Sequence, residues 1–228
     1  MKRIKEPIEL SISTGNVAQA GEARKSERKR KVILDAAMQV FLKRGYLGAN
    51  MEEIATLAEV SKQTVYKHFS NKESLFIEIV STMTDAASDM VHKDVPDLEE
   101  GEDVAAYLQA YALRQLMVVL TPRLMQLRRL VIGEANRFPE LAQVLYERGP
   151  QRAIAAFAKV LEQLASRDLL TIDDPMIVAS HFNWLVMSAP LNRVMLLGNK
   201  AIPKQTELRR HAAGCVRMFL AAYAKQSS

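Results

Sequence analysis

Cysteine is almost missing from this sequence: Cys215 stands alone. One thiol excludes an intrachain disulfide framework and fits a reducing compartment. On a late apolar helix it reads as a small buried hydrophobe. Aromatic residues make up only 6% of the chain, with nine glycines and eight prolines, and no run alternates at the period of a strand. A β-rich fold has little to build on, and an all-α fold is expected. No stretch approaches the roughly 20 apolar residues of a membrane span. Met1 to Leu10 hold no apolar core of signal-peptide length. The expectation is a cytoplasmic protein that does not engage a membrane. Four histidines, His68, His92, His181 and His211, make no His-x-x-x-His pair, and Cys-x-x-Cys, glycine-rich phosphate loops and nucleophile motifs do not occur. Those gaps argue against an enzyme and give no reason to expect a metal or a cofactor.

What the chain does have is a core and a basic segment. Its 228 residues are 49% hydrophobic and 25% charged, enough for one large or two unequal domains with a substantial interior. The net charge is +5. Residues 24–75 carry eleven Lys and Arg against six Asp and Glu, while the sequence before and after is balanced, so the whole excess sits in one segment. A basic module on a neutral body is the electrostatic footprint of a nucleic-acid binder.

Inside that segment lies the pattern of a helix-turn-helix. Ile54, Ala55 and Ala58 fall on one face of a short helix, and Val60 occupies the corner. Ser61 is placed to cap a second helix, in which Val65 and Phe69 face inward at i, i+4. Lys62, Gln63, Thr64 and Lys67 are left outside, near the end that enters a major groove. Lys62 suits guanine O6/N7, Gln63 suits adenine, and Thr64 can bond a base or touch a thymine methyl; Lys67 can serve a base or a phosphate. A helix over 26–44, with the stripe Ile33, Ala36, Ala37, Val40 and Phe41, precedes the motif and ends at Gly45. Arg28-Lys29-Arg30-Lys31 would lie in its first turns against the helix dipole, which makes sense beside phosphate. Asn50 is the expected cap of the next helix, with Glu53 completing a capping box, and its amide can also donate to a phosphate.

Residues 1–24 show no sustained period and read as a flexible tail. A long helix from Ser70 or Asn71 to about Val91 carries Leu75, Phe76, Ile79, Val80 and Met83. Three short helices are a small core, so this fourth should be required for their stability. After an acidic loop, further helices are expected over 103–119, 122–135, 138–147, 150–167, 174–197 and 204–224, with breaks at Gly149-Pro150 and Asp173-Asp174-Pro175 and a kink at Pro190. Residues 176–197 and 212–224 are apolar around much of their circumference, which predicts burial on more than one side and a subunit interface.

The run Ala58-Glu59-Val60-Ser61-Lys62-Gln63-Thr64-Val65-Tyr66-Lys67-His68-Phe69-Ser70-Asn71-Lys72-Glu73-Ser74-Leu75-Phe76 resembles the signature of TetR-type transcriptional regulators. The likeness covers roughly residues 28–80, and it departs at Glu59, where the family usually has glycine. It implies a three-helix DNA-binding domain over 25–75 and a larger helical ligand-binding and dimerisation domain over 76–228. It further implies that Ser61, Tyr66, His68 and Lys72 hold the DNA backbone, and that the last two long helices form a homodimer. The function implied is a repressor that leaves an inverted-repeat operator on double-stranded DNA when a small-molecule effector binds. Tyr111, Phe157 and Trp184 are the pocket residues expected. Arg128 and Arg129 could face an acidic ligand, but exposed helix positions are the expectation for both, so a hydrophobic or amphipathic ligand is preferred. The competing reading is an architectural DNA-binding protein without an effector.

Overall fold

The computed structural model describes residues 15–92, 98–99 and 101–225, with side chains from residue 22 onwards. Among these residues the chain forms ten α-helices: α1 (Gly15–Gly48), α2 (Met51–Leu57), α3 (Lys62–His68), α4 (Lys72–His92), α5 (Val104–Val119), α6 (Pro122–Glu134), α7 (Pro139–Tyr146), α8 (Arg152–Ser166), α9 (Pro175–Leu197) and α10 (Gln205–Tyr223). No single helix among them is long and apolar enough to cross a membrane.

Helix α1 begins earlier than the pattern suggested. Residues 15–24, read as tail, are helical; the rest of that segment lies outside the described residues. The run from Arg28 to Lys31 therefore sits well inside the helix, away from the positive end of its dipole. Arg28, Lys29 and Lys31 are exposed, whereas Arg30 pairs with Glu78 at 2.8 Å and lies over the Phe69 ring. It thus ties α1 to α3 and α4. The helix is interrupted at Gly45, whose φ of +74° needs a residue without Cβ.

Two buried clusters organise the chain. The first joins α1–α3 to α4 through Ile33, Phe41, Ile54, Val65, Phe76 and Val80, and it also takes Leu127, Val131 and Leu141 from α6 and α7. Phe41, Tyr46 and Phe76 meet at its centre with ring centroids 4.7–5.9 Å apart. The second cluster is built by α5, α8, α9 and α10 around Tyr111, Phe157, Phe182 and Phe219. Packing against α4 closes the first core, in line with the small size of three helices alone.

Two prolines are absorbed in different ways. Gly149-Pro150 does not break the chain as expected: a π-helical turn over Glu147–Gln151 carries α7 into α8, and its wider loop accommodates the proline. Pro190 inside α9 has no N–H to give the carbonyl of Val186, four residues back. His211 on α10 meets that orphan oxygen with Nε2 at 2.8 Å, and Cys215 reaches the Leu185 oxygen beside it. The proline thereby creates an acceptor that locks α10 onto α9.

The corner between α2 and α3 is a Schellman closure. Glu59 N donates to Thr56 O and Val60 N to Ala55 O. This geometry places Glu59 at φ +53°, a left-handed conformation that costs an L residue about 1 kcal/mol. Nothing in the structure compensates Glu59 for it. Glu59→Gly should raise the stability of the protein by about 1 kcal/mol in urea unfolding, with α3 unchanged; equal or lower stability would show that the corner carries no strain.

Candidate nucleic-acid interface and ligand cavity

Each helix of the motif is fixed locally at its start. The Asn50 side-chain oxygen accepts from Glu52 N at 3.1 Å and Glu53 N at 2.8 Å. The return half of a capping box is not made, because the Glu53 carboxylate faces Arg44 instead. Ser61 Oγ accepts from Thr64 N at 3.1 Å and shares a hydrogen bond with Thr64 Oγ1 at 2.8 Å. Val65 and Phe69 are buried in the first core, which turns the opposite face of α3 outward.

That outer face carries Lys62, Gln63, Tyr66 and Lys67, all exposed. They stand in two i, i+4 rows, Lys62 with Tyr66 and Gln63 with Lys67. Lys62 lies 3.7 Å from Glu52 in an exposed pair, a contact weak enough to yield to DNA. Thr64 is half-buried with its hydroxyl engaged at the cap, so its methyl is what it has left to present. His68 is also half-buried; burial, then Lys67, Arg30 and Lys29, lower its pKa and keep the ring neutral near pH 7. Lys72 departs most from expectation. Its ammonium donates to Tyr46 O at 2.9 Å and Ala49 O at 3.1 Å, lies 3.5 Å from Leu47 O, and sits over the Tyr46 ring. With its donors on the end of α1, Lys72 fixes α4 to α1, and the structure does not present it to phosphate.

A cavity opens between α4, α5, α6, the α7–α8 turn and α9. It is narrow, with a volume of about 70 Å³. Its walls include Val91, Val119, Leu124, Met187 and Leu191. Of the three expected residues, only Trp184 lines it. Tyr111 and Phe157 are stacked at 4.4 Å in the second core, packed too deeply to reach it. Tyr111 touches the cavity only through His92, whose Nδ1 lies 3.1 Å from the Tyr111 hydroxyl. Sequence reasoning missed Gln115 and Asn183, which line the cavity and bond to each other at 2.7 Å. The available signal was a polar residue on an apolar stripe: Gln115 follows Leu108, Tyr111 and Ala112 at helical spacing. Arg128 also lines the cavity, between Met125 and Val131 on the inner face of α6, where exposure was expected.

Two outcomes follow from this geometry. Lys72→Met should cost about 1.5–3 kcal/mol of stability, because three carbonyls lose a charged donor, while leaving the salt dependence of DNA binding unchanged. A salt slope shallower by about one would make Lys72 a phosphate contact after all. Burial lowers the pKa of His92 to about 4, helped by Arg152 and opposed by Asp89. The folded state then binds fewer protons than the unfolded state between pH 6.5 and 4. Stability from this group is full above 6.5 and falls as pH drops toward 4. His92→Gln should flatten the pH dependence of Tm over that window; an unchanged profile would place the titration elsewhere.

Comparison with known proteins agrees with both halves of the chain. Residues 33–79 match the family described as bacterial regulatory proteins, tetR family, and residues 106–225 match the AefR-like transcriptional repressor C-terminal domain. The transcriptional repressor NicS of Pseudomonas putida is 32% identical over 96 residues, a match covering 40% of this chain and 45% of NicS, so the chain spans less than half of that relative. Among solved structures, a putative TetR-family regulator from Mesorhizobium loti superposes with a TM-score of 0.82 at 39% identity, covering 88% of this chain and 98% of that one. The flavonoid-responsive regulator FrrA gives 0.72 at 28% identity, covering 88% of this chain and all of FrrA. These relatives are regulators and not enzymes. A helix-turn-helix at one end, a helical body with a cavity at the other, and matches across both place the chain in the TetR family of DNA-binding transcriptional regulators.

Proposed function

We propose that this regulator is a repressor, acting in the cytoplasm, that holds an inverted-repeat operator as a homodimer and releases it when a small hydrophobic or amphipathic ligand enters the cavity. The observation that carries this reading is the double engagement of α4. Leu75, Phe76, Ile79 and Val80 are buried in the core of the helix-turn-helix module, while Thr84, Ala87, Ser88 and Val91 on the same helix line the cavity. A ligand that spreads the cavity must move α4, and α4 cannot move without the recognition helix. The narrow interior makes such spreading necessary for most organic ligands. Affinity alone would release nothing: the ligand must prefer the state that does not bind DNA.

Support for the homodimer comes from α9 and α10. Ile177 and Leu196 are 54% and 75% exposed on α9, with Met218 exposed on α10. An apolar face of this kind suits a partner helix pair. Two-fold symmetry would set the recognition helices about one turn of DNA apart, roughly 34–36 Å. NicS is named as a repressor and FrrA as flavonoid-responsive, which supports the sign of regulation and the existence of a small ligand.

On α3, Lys62, Gln63, Thr64 through its methyl, and Lys67 are assigned to base edges. Asn50, Ser61, Tyr66 and His68 are assigned to the backbone. Selection of bound sequences from random DNA at two salt concentrations tests the reading: an enriched inverted repeat is expected, and binding without enrichment, lost steeply with salt, would favour an architectural protein. On the selected site Lys62→Ala should cost about 1–3 kcal/mol and relax preference at one position per half-site. Equal weakening on random DNA would make Lys62 a phosphate contact.

A further inference from the structure

Arg128 occupies an unusual place for a cation. It stands three residues from Met125 and three from Val131, both with no exposed surface, on the inner face of α6. Burial pushes its pKa below the usual guanidinium range, but an arginine remains charged at neutral pH. Its neighbours are partnered: Arg129 donates to Val194 O at 3.0 Å and Asn199 Oδ1 at 2.6 Å, and Arg123 lies 3.8 Å from Asp35. Among the described residues no carboxylate or carbonyl pairs with Arg128, and no Asp or Glu lines the cavity. The nearby acids of α4 are committed outside it, Asp85 to Arg148 and Arg152, and Asp89 to Arg152.

A second group of unmet polar atoms faces the same space. Gln115 and Asn183 are each 4% exposed. Their mutual hydrogen bond leaves Gln115 Oε1 and Asn183 Nδ2 without a partner. The conclusion does not depend on amide orientation, since flipping both still leaves one acceptor and one donor. Buried amides of this kind are costly unless something bonds them. His92 adds a third: its Nε2 is buried and unpartnered while Nδ1 holds Tyr111.

We propose that the cavity takes a small apolar or aromatic monoanion, a carboxylate, whose charge is bound by Arg128 and whose second polar group is bound by the Gln115–Asn183 amide pair. This deepens the reading of the cavity as the effector site and rests on it. One unpaired cation selects one negative charge. A cationic ligand would be repelled by Arg128, a neutral one would leave the guanidinium uncompensated, and a dianion would bury an excess charge. The guanidinium fork matches a carboxylate in two parallel hydrogen bonds. The apolar walls and the Trp184 ring accept the body of the ligand. Charge recognition also has a route to DNA, because Leu127, adjacent to Arg128, and Val131 one turn on are buried in the core of the helix-turn-helix module. A carboxylate that draws Arg128 into the cavity pulls on that core through α6 while it spreads α4.

Trp184 is the only tryptophan in the chain, so its fluorescence reports on the site. The test titrates the full-length protein with 4-hydroxybenzoate, its methyl ester and its amide, and with hexanoate and hexanol, following Trp184 emission and Tm. The wild type should bind each carboxylate at least tenfold tighter than its neutral counterpart. Arg128→Met should lose that preference while still binding the neutral compounds, and Arg128→Lys should keep part of it. Neutral compounds that bind wild type as tightly as the carboxylates would overturn the charge assignment and leave the effector site standing. Preference that survives in Arg128→Met would do the same. Should no compound of either series change Trp184 emission or Tm, the effector-site reading would fall and this proposal with it. The wild-type comparison decides the matter even if Arg128→Met does not fold.

Discussion

The burial of one side of α4 under Phe41 and Tyr46 is the contact on which the rest of the molecule depends. Helices α1–α3 present too little apolar surface to close a core by themselves. They obtain what they lack from Leu75, Phe76, Ile79 and Val80, and the Lys72 ammonium fastens the same helix to the end of α1. Further along, the Asp85 and Asp89 carboxylates hold α4 to Arg148 and Arg152 on the other side of the molecule. A helix gripped at both ends behaves as a rod. Packed interiors resist continuous deformation, so on the proposed reading a displacement at the cavity would pass along α4 to the recognition helix.

The two functional surfaces solve opposite electrostatic problems. On α3 the polar side chains are in water, and on the proposed reading their hydrogen bonds with solvent would be exchanged for bonds with DNA at modest net gain. The surplus of basic residues in this segment supplies the sequence-independent part of binding. In the cavity the polar groups have already been taken out of water during folding. On the proposed reading Gln115, Asn183, His92 and Arg128 would favour a ligand that restores what folding removed, since unpaired groups of this kind discriminate strongly against ligands that lack the matching atom. Specificity on the DNA side would then come from side chains added to a surface, and on the cavity side from partners withheld.

Two residues poorly suited to their backbone positions, Glu59 and Pro190, are held in place by the helices around them. The Schellman closure at Glu59 fixes the angle between α2 and α3 with a residue poorly suited to it, while the closing bonds to Thr56 O and Ala55 O are both made. At Pro190 the missing N–H becomes an attachment point for His211. In both places a locally unfavourable residue is tolerated because neighbouring elements over-determine the geometry.

The sequence by itself determined most of the helices, the caps at Asn50 and Ser61, and the inward set Ile54, Val65 and Phe69. Those features rest on bonds within four or five residues, which spacing reveals directly. Only the tertiary structure decided where Lys72, Arg128, Gln115 and Pro150 would do their work. Lys72 meets carbonyls 23 to 26 residues away and Gln115 meets Asn183 across 68. Arg128 looked like a surface residue because helical period shows which face a side chain is on, and not what packs against that face. Helix periodicity is a property of neighbours along the chain. A cavity is a property of elements brought together by folding, and its unpaired groups exist only once the apolar surfaces around them have closed.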